Sequence, residues 1–489
     1  MKSRDLPADH FCAWRDEAER LSARLSDVEQ ELAAIKRHLF GTKSERRKKV
    51  TPIDRELAKE RPADPEATKK KRAENAARKQ QIVTETVAHA VPEAARTCPT
   101  CGPSGPALKP VGRGRESVEF DFVPAYVRRR VHRRETLACP GCAYIVTAPG
   151  PERVTDKTSY SPRFLAHLIT SKCSVSTPLY RLEKGYRQTG LPLARSTMND
   201  LVHRGAELLS PLAQRVLARI AAAEIVLADE TPHRLQTAGK KPYTWVFTDG
   251  ELIAYRFSPS RSGETPAEVL GETKGKLVVD AYTGYNKVTK LGARTRAGCM
   301  AHARRKFFAA LTTAPEAQFA LDAFRAVYRV EHEALERGIV RTPEHLAMRQ
   351  TRSRETLDVL KSWLEEQQPL HPPKGPLGKA IGYALKNWEA LTVFLDDVNV
   401  PPDNNASERA LRVIALGRKN FLFFGHEQAG RNFAVLYTLV ASCELRGVDP
   451  QAYLADVLMR IQTHPQERID ELLPDRWARA PDARSAVAA

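Results

Sequence analysis

Two short apolar runs, each followed by an aspartate, constrain the fold of this chain more than any other feature of its sequence. Residues 225–228 (Ile-Val-Leu-Ala) stop at Asp229, and residues 277–279 (Leu-Val-Val) stop at Asp280. Continuous apolar runs of this length are typical of strands buried on both faces, as in parallel sheets. Between them, residues 243–257 contain two strand-like segments around an Asp-Gly pair, which predicts a β-hairpin. The order is therefore buried strand with acid, hairpin, buried strand with acid.

This order has a chemical consequence if the two buried strands are parallel neighbours. They would lie about 4.8 Å apart, and Asp229 and Asp280 at their matching ends would face each other. Two carboxylates held that close repel unless a cation lies between them. A pair of Mg²⁺ (or Mn²⁺) ions about 3.5–4 Å apart would suit attack on a phosphodiester. The alternative is that each aspartate only ends a strand or caps a helix.

A third acid follows a predicted helix start. The segment Pro-Pro-Asp-Asn-Asn at 401–405 begins a helix with Asn404 or Asn405 as its cap. Glu408 falls about one turn into that helix, near its positive end, with Arg412 one turn further on the same face. From the pattern alone, Glu408 fits a surface position at least as well as a metal ligand.

The cysteines predict a zinc module. Cys98 with Cys101, and Cys139 with Cys142, form two Cys-x-x-Cys pairs, each able to present two thiolates to one tetrahedral zinc. The gap between the pairs exceeds the usual ~15–20 residues, so we expect a zinc ribbon with an enlarged hairpin. Four thiolates leave no open position, which makes this Zn²⁺ structural. A redox Cys-x-x-Cys, the competing interpretation, would need only one pair.

Basic side chains between the two cysteine pairs are candidates for DNA contact. Residues 126–134 are strand-like and contain Arg128, Arg129 and Arg130. They could form a DNA-binding surface or an ordinary exposed charged strand. The whole chain has 77 Lys and Arg against 59 Asp and Glu, a net charge of +18, which favours a polyanionic partner such as nucleic acid.

Two further segments point to self-association and DNA binding. Residues 14–39 carry apolar side chains at alternating spacings of four and three, which favours a coiled coil over an amphipathic helix packed on its own domain. Residues 160–215 favour two helices around a glycine-containing turn, the second capped by Ser196 or Thr197. This pattern is compatible with a helix-turn-helix, and equally with a hairpin that binds nothing.

The cellular setting is predicted from what the sequence lacks. No apolar run approaches the ~18 residues that span a bilayer, and the first residues are not a secretory signal. The other four of the eight cysteines are single, which does not suit a disulfide framework. We therefore expect a soluble protein of the reducing cytosol that is not associated with a membrane.

Motifs along nearly the whole chain resemble those of the insertion sequence 66 transposases. In chain order they are Leu-Phe-Gly-Thr-Lys-Ser-Glu at 39–45, the spaced Cys pairs, Leu-Ala-Asp-Glu-Thr at 227–231, Asp-Ala-Tyr-Thr-Gly-Tyr at 280–285, Cys-Met-Ala-His-Ala-Arg-Arg-Lys-Phe at 299–307, Asp-Asn-Asn-Ala-Ser-Glu-Arg at 403–409, Tyr-Leu-Ala-Asp-Val-Leu at 453–458 and Glu-Leu-Leu-Pro at 471–474. The linker and the last dozen residues carry none of it. The family commonly has Trp where Met300 stands, so packing beside His302 can differ here.

The resemblance implies a DDE transposase that cuts the ends of its element and joins them to target DNA. Matched motif by motif, Asp229, Asp280 and Glu408 would be the three catalytic carboxylates and would hold Mg²⁺ or Mn²⁺. His302 would be a neighbour of the active site, whereas Cys299 with His302 could also be a metal pair or core packing. Arg304, Arg305 and Lys306 are plausible phosphate contacts or a solvated helix face.

The fold class that follows is multidomain α+β, with a ribonuclease-H-like α/β catalytic core. The expected segments are a coiled-coil helix at 1–45, a basic linker at 46–90, a zinc-ribbon-like module at 91–155, a helical region at 156–220, the first part of the core at 221–310, a helical insertion at 311–400, the last core helices at 401–447 and a helical tail at 448–489.

Expected partners are double-stranded DNA at the element ends and target, a second copy of the chain through the coiled coil, and accessory proteins of the element. The sequence is also compatible with two other functions. One is a non-catalytic zinc-dependent DNA-binding regulator, which has no reason to keep three matched acids. The other is a nuclease without strand transfer, which only the family resemblance argues against.

Overall fold

The structure is a computed structural model of the 489-residue chain. It describes residues 127–133, 135–138, 145–147, 153–154, 158–236, 241–290 and 293–478, with Arg24, Ala73 and Ala77 as isolated positions. The chain divides into two compact units, Met1–Ala125 and Tyr126–Ala489. Apart from those isolated positions, the predicted coiled coil and basic linker lie outside the described residues. So do Cys98, Cys101, Cys139 and Cys142 of the predicted zinc module.

The second unit begins with an extended segment and a small hairpin. Strand β1 (Thr136–Ala138) pairs antiparallel with β2 (Ile145–Thr147). Residues 127–133 have neither helix nor strand, so the prediction of an arginine-rich strand is wrong for them. Consecutive arginines place charge on both faces of an extended segment, and neither face is then apolar enough to pack. Accordingly, Arg128, Arg129 and Arg130 are exposed.

In the described range 158–236, three helices precede the main sheet: α1 (Pro162–Cys173), α2 (Leu179–Gln188) and α3 (Arg195–Ala222). The predicted helices exist, but the predicted cap of α3 is wrong, because the cap position is Ala194 and Ser196 lies inside the helix. Leu193 and Met198, which flank the helix start, are both buried in one hydrophobic core. This is the spacing of a hydrophobic staple, which fixes the entry of the chain without a side-chain cap.

A five-stranded mixed sheet forms the centre of the unit. Its strands are β3 (Ile225–Pro232), β4 (Tyr243–Thr248), β5 (Ile253–Ser258), β6 (Lys276–Val278) and β7 (Thr295–Ala297). The order across the sheet is β5-β4-β3-β6-β7. Strands β3, β4 and β5 form an antiparallel meander, whereas β6 and β7 run parallel to β3. The two buried strands are therefore parallel neighbours, as the apolar runs predict.

The remaining helices fill both sides of this sheet. They are α4 (Glu264–Leu270), α5 (Met300–Ala310), α6 (Ala317–Glu336), α7 (Pro343–Met348), α8 (Arg354–Gln367), α9 (Pro376–Lys386), α10 (Trp388–Thr392), α11 (Asn405–Phe421), α12 (Glu427–Arg446) and α13 (Pro450–Arg460). Helices α6 to α10 lie in the sequence between the last strand and α11, as a long helical insertion would. No helix among the described residues is long and apolar enough to cross a membrane.

Two hydrophobic cores lie on opposite faces of the sheet. Val226, Ala228 and Leu277 point into a core shared with α1, α3, α11, α12 and α13. Leu227 and Val278 point the other way, into a core shared with α5, α6, α8, α9 and α10. Because side chains alternate along a strand, each strand contributes to both cores. Burial on both faces explains why these strands read as continuous apolar runs.

A buried arginine fixes the strand that leads to Asp280. Arg294 is 1% exposed, and its Nη2 donates to the carbonyl oxygens of Ala221 (2.6 Å) and Ala223 (2.8 Å) at the end of α3. Its Nη1 donates to the carbonyl oxygen of Lys276 (3.2 Å), the first residue of β6. The last carbonyls of a helix have no hydrogen-bond partners within the helix, and they carry a partial negative charge. A guanidinium group supplies both the donors and the positive charge.

Replacing this arginine tests how strongly α3 and β6 are held together. Arg294→Leu keeps apolar volume but leaves buried carbonyl oxygens without donors, so we expect the free energy of unfolding to fall by about 3 kcal/mol. Urea unfolding followed by circular dichroism measures this change. The matched control is Arg325→Leu, since Arg325 is 63% exposed and pairs only with Asp322. It should shift stability by no more than about 0.5 kcal/mol. Equal effects in the two variants would contradict the role given to Arg294.

Candidate active site

The register of the central strands brings two aspartates side by side. In the parallel ladder, Ile225 is opposite Lys276 and Leu227 is opposite Val278. Continued for two residues, the same register sets Asp229 opposite Asp280. By alternation, both share the face of Leu227 and Val278, which α5 and the helical insertion cover. Both aspartates are half-buried, and both have one oxygen fixed by a nearby backbone N–H.

Glu408 reaches the same place from the helix that packs on β3. It lies in the first turn of α11, and its backbone N–H donates to the carbonyl oxygen of Asn404, the residue at the cap position. Because a helix N-terminus is electropositive, this position favours a carboxylate. Glu408 and Asp280 each raise the pKa of Asp229 by charge repulsion, which shows that both carboxylates lie near it.

Asn404 fixes where α11 begins relative to the two strands. It is 1% exposed, and its side-chain amide donates to the carbonyl oxygen of Ala228, next to Asp229, at 2.7 Å. Its backbone N–H donates to Sγ of Cys299 at 3.2 Å. The sequence correctly predicts Asn404 at the cap position, but the side chain spans to β3 instead of capping its own helix. Asn404 therefore links β3, α11 and the start of α5.

The electrostatics of Asp229 show how much negative charge gathers here. Burial is the main cause that raises its pKa to about 7, and repulsion from Glu230, Asp280 and Glu408 adds to it. The hydrogen bond from the Glu230 N–H opposes the rise but does not cancel it. An acid with this pKa is poorly tolerated as an anion unless a positive charge comes near.

Glu230, the neighbouring acid, is engaged on the other face of the strand. Its side chain is 1% exposed and accepts hydrogen bonds from Tyr285 (2.7 Å) and from Nε of Arg261 (2.8 Å). Burial raises its pKa, and the two donors oppose that rise. Since both carboxylate oxygens are occupied, Glu230 acts as a structural anchor for the strand end and leaves the open face to Asp229.

His302 lies beside Glu408, as a site neighbour would. Its Nδ1 is 3.6 Å from Oε1 of Glu408, beyond hydrogen-bond range, and is buried without a partner in the described part of the chain. Burial lowers the pKa of His302, whereas Glu408 opposes that change. Ligand atoms of Cys299, His302 and Glu408 lie within 4.8 Å of one another. Burial raises the pKa of Cys299 to about 11, and its Sγ accepts a hydrogen bond from the backbone N–H of Asn404, so in this structure the thiol has a packing role.

The three consecutive basic residues on α5 point to different places. Arg305 donates from Nη2 to both oxygens of Glu408, at 3.3 and 3.1 Å. The ammonium of Lys306 lies 4.5 Å from the ring centroid of Tyr383 on α9. Arg304 is exposed and acts electrostatically on Tyr328. Successive helical residues are rotated by about a quarter turn or more, so one contiguous phosphate-binding row of all three is not formed.

The helical insertion is tied directly to the segment that carries Glu408. The hydroxyl of Tyr328 on α6 donates to Oδ2 of Asp403 at 2.9 Å. The other oxygen of Asp403 accepts from the backbone N–H of Asn405, the first residue of α11. A shift of α6 would therefore move the start of α11, and the insertion supports the site besides covering it.

The donor set fits a hard divalent cation. Asp229, Asp280 and Glu408 offer carboxylate oxygens, which are the ligands that Mg²⁺ and Mn²⁺ prefer. The pKa of Asp229 is raised mainly by burial and further by neighbouring acids, and a bound cation would oppose both effects. The buried Nδ1 of His302 is a further donor without a partner among the described residues, close to Glu408.

The sequence singles out Asp229, Asp280 and Glu408 as candidates, but it does not predict the contacts that hold these segments in place. Asn404 was identified only as a cap, and the anchoring of Glu230 by Tyr285 and Arg261 was not predicted. Both asparagine and glutamate lie inside the motifs already quoted, so a search for buried polar residues flanking the acids could have found them. The Tyr328–Asp403 contact joins positions 75 residues apart and leaves no local pattern.

Comparisons with known proteins show which family the chain resembles along most of its length. Residues 157–432 match the Transposase IS66 family, residues 438–474 match the IS66 C-terminal element, and residues 95–143 match the zinc-finger binding domain of transposase IS66. The last range includes all four cysteines of the predicted zinc module.

Relatives of similar length occur in one bacterium, Sinorhizobium fredii (strain NBRC 101917 / NGR234). The chain is 32% identical over 515 residues to "Uncharacterized protein y4jD", covering 98% of both chains. It is also 32% identical to "Uncharacterized protein y4hP" over 419 residues, covering 80% of this chain and 75% of the relative.

These matches place the protein among the transposases. More narrowly, the chain belongs to the IS66 transposase family, because the main family domain alone spans more than half of its length.

The raised pKa of Asp229 makes stability depend on pH in a defined direction. The ordinary pKa of 3.8 applies to the unfolded chain, and about 7 applies to the folded one. The folded state therefore binds more protons in this window, and the free energy of unfolding falls as pH rises from about 4 to about 7. In chelator at pH 8, Asp229→Asn should be more stable than wild type by about 2–4 kcal/mol.

Urea unfolding at pH 5 and pH 8 measures this difference, which should shrink at the lower pH. Asp322→Asn, at an exposed position on α6, is the matched control and should show no such trend. Mg²⁺ added at pH 8 should stabilise the wild type but not Asp229→Asn. A wild type that is equally stable with and without Mg²⁺ would contradict a cation site at these acids.

Proposed function

We propose that this protein is a DDE transposase that cuts DNA at the ends of its insertion element and joins the freed 3′-hydroxyl to target DNA. The observation that carries the proposal is the register that sets Asp229 opposite Asp280, with Glu408 brought to the same face by Asn404. The order and pairing of the five strands, with one antiparallel edge and parallel strands beyond β3, support a ribonuclease-H-like core. Membership of the IS66 family supports the same reaction class.

Asp229, Asp280 and Glu408 would hold the catalytic metal. When bound there, Mg²⁺ or Mn²⁺ would make a water or a 3′-hydroxyl a better nucleophile and stabilise charge on the phosphate. In this scheme the carboxylates serve as metal ligands and not as nucleophiles, so no covalent enzyme intermediate forms.

Several other side chains would orient these acids. The hydrogen bond from Asn404 to the carbonyl oxygen of Ala228 would hold the start of α11, and with it Glu408, close to Asp229. Glu230 would anchor the end of β3 through Tyr285 and Arg261. Arg305 neutralises part of the charge on Glu408 and can turn towards a phosphate when substrate binds, since its side chain is 60% exposed. His302, buried next to Glu408, would restrict how that carboxylate can rotate.

The remaining parts of the chain would serve DNA binding and assembly. A structural Zn²⁺ on Cys98, Cys101, Cys139 and Cys142 is supported by the match to the IS66 zinc-finger domain. We propose that this module, with Arg128, Arg129 and Arg130, binds element ends. The N-terminal heptads would pair two copies of the chain, and accessory proteins of the element would complete the complex in the bacterial cytosol.

The proposal separates from its rivals by mutation of each acid in turn. Asp229→Asn, Asp280→Asn and Glu408→Gln should each lower the rate of end cleavage by about a thousandfold, equivalent to about 4 kcal/mol, because each removes a metal ligand. DNA binding should remain. The assay incubates the protein with labelled element-end duplex, a target plasmid and Mg²⁺, and follows both cleavage and joining.

A matched control is Glu427→Gln, because Glu427 occupies the first turn of α12 as Glu408 occupies that of α11. It should cleave and join at the wild-type rate. Normal cleavage by all three acid variants would overturn the transposase proposal, and loss of DNA binding by them would favour the regulator. Cleavage without joining by the wild type would favour the nuclease.

A further inference from the structure

A basic cleft opens beside Asp280, between the sheet and the helical insertion. Its volume is about 840 Å³. One wall is the loop after β6, with Asp280 and Tyr282, and the other is helix α9, with Tyr383. Helix α5 contributes His302 and Lys306. The cleft therefore starts at Asp280, one of the three proposed catalytic acids, and runs along the insertion.

The charges that line this cleft are of two kinds. Arg296 is occupied, because its guanidinium donates to the backbone oxygens of Asp280 and Tyr282 and holds that loop in place. Lys306, Lys379 and Lys386 are exposed, and none of them forms an ion pair with an acid in the described part of the chain. Asp280 is the single acid in the lining.

The lysines of α9 share one helix face. Lys379, Tyr383 and Lys386 are spaced by four and three residues, so they lie above one another along the cleft. The opposite face of α9, with Leu377, Ala380, Ile381 and Ala384, is buried in the core with α5. Lys379 and Lys386 are about 10 Å apart along the helix axis, which suits a run of phosphates better than one isolated anion.

Gly382 keeps this face open. It lies on α9 between the two lysines, and a Cβ added there would meet no atom within 4 Å. A glycine inside a helix costs about 0.5–1 kcal/mol relative to alanine. No close packing requires this glycine, and its position lines the cleft. The bare backbone therefore leaves room for a ligand between Lys379 and Lys386.

A second, smaller cleft is lined by Glu408. Its volume is about 420 Å³, and its lining also includes Thr231, Arg409 and Arg412. Each of the two clefts thus carries cations and one of the proposed catalytic acids, Asp280 in the larger and Glu408 in the smaller.

We propose that the face of α9 formed by Lys379, Gly382, Tyr383 and Lys386 binds the phosphate backbone of the DNA strand next to the bond that is cut. The helical insertion is then part of the substrate-binding surface and not only a support for Glu408. Lysine ammonium groups bind phosphates as mobile point charges, and an aromatic ring within a basic groove is typical of strand binding. This inference rests on the proposed function and names where its substrate lies.

The salt dependence of DNA binding tests the charge contacts. The probe is an element-end duplex cut at the cleavage point, in chelator so that no reaction follows. For each lysine lost, the slope of log K against log salt concentration should shrink by about 0.7–0.9. Lys379→Ala with Lys386→Ala should therefore reduce the slope by about twice that amount. The control is Lys361→Ala on α8, where Lys361 pairs with Glu365. An unchanged slope in the double variant would overturn the proposal.

Filling the cleft tests its occupancy without removing charge. Gly382→Trp should lower cleavage by about tenfold or more (at least 1.4 kcal/mol), and Gly382→Ala, which adds only a methyl group, should lower it less. Thermal unfolding should show that both variants are at least as stable as wild type. Equal cleavage by a stably folded Gly382→Trp would overturn the proposal.

Neutral phosphates show which flank occupies the cleft. Methylphosphonates placed on one side of the cleavage point, then on the other, should weaken wild-type binding on both sides. They should no longer matter on the α9 side in the double lysine variant. If neither position loses its effect, the proposal fails while the acid variants can still abolish cleavage. If instead Asp280→Asn cleaves normally, it is the proposed function that fails.

Discussion

Parallel pairing between β3 and β6 forces two like charges together at the centre of this protein. The ladder sets Leu227 opposite Val278, and the same register continued for two residues brings Asp229 opposite Asp280. A one-residue slip would turn every side chain of the strand to the opposite core, so the register is strongly held by burial. Burial is the main cause of the raised pKa of Asp229, and repulsion from the neighbouring acids adds to it. A fold optimised for stability alone would place asparagine or an apolar residue there, and an acid at such a position supports the proposed cation-binding role.

Polar contacts over long sequence distances keep this arrangement in place. Arg294 holds the start of β6 against the end of α3, and Asn404 holds the start of α11 against β3. Tyr328 on α6 ties the insertion to Asp403, which lies just before α11. The helical insertion therefore helps to set the position of Glu408 although it is not part of the sheet. The insertion thus has two faces of interest, one that supports α11 and one on α9 that lines the basic cleft.

Sequence patterns could predict the sheet and its acids because both are local. The continuous apolar composition of residues 225–228 predicts a strand that is buried on both faces, and the acid directly after it can be read from the sequence. Long-range contacts left no such signal: Arg294 reads as an ordinary surface cation, and Asn404 reads as a helix cap. The start of α3 was misplaced because a local cap signal at Ser196 lost to the burial of Leu193 and Met198. The lysines of α9 have helical spacing in the sequence, but only the fold shows that their face opens towards Asp280.

The position of a bound cation decides between this account and a merely structural role for the three acids. Anomalous diffraction from crystals soaked in Mn²⁺ measures that position directly. We expect Mn²⁺ density in contact with carboxylate oxygens of Asp229 and Asp280, with Glu408 as a further ligand or close neighbour. Mn²⁺ density at other sites alone, with Glu408 still paired to Arg305 and no ion between the two aspartates, would contradict the account.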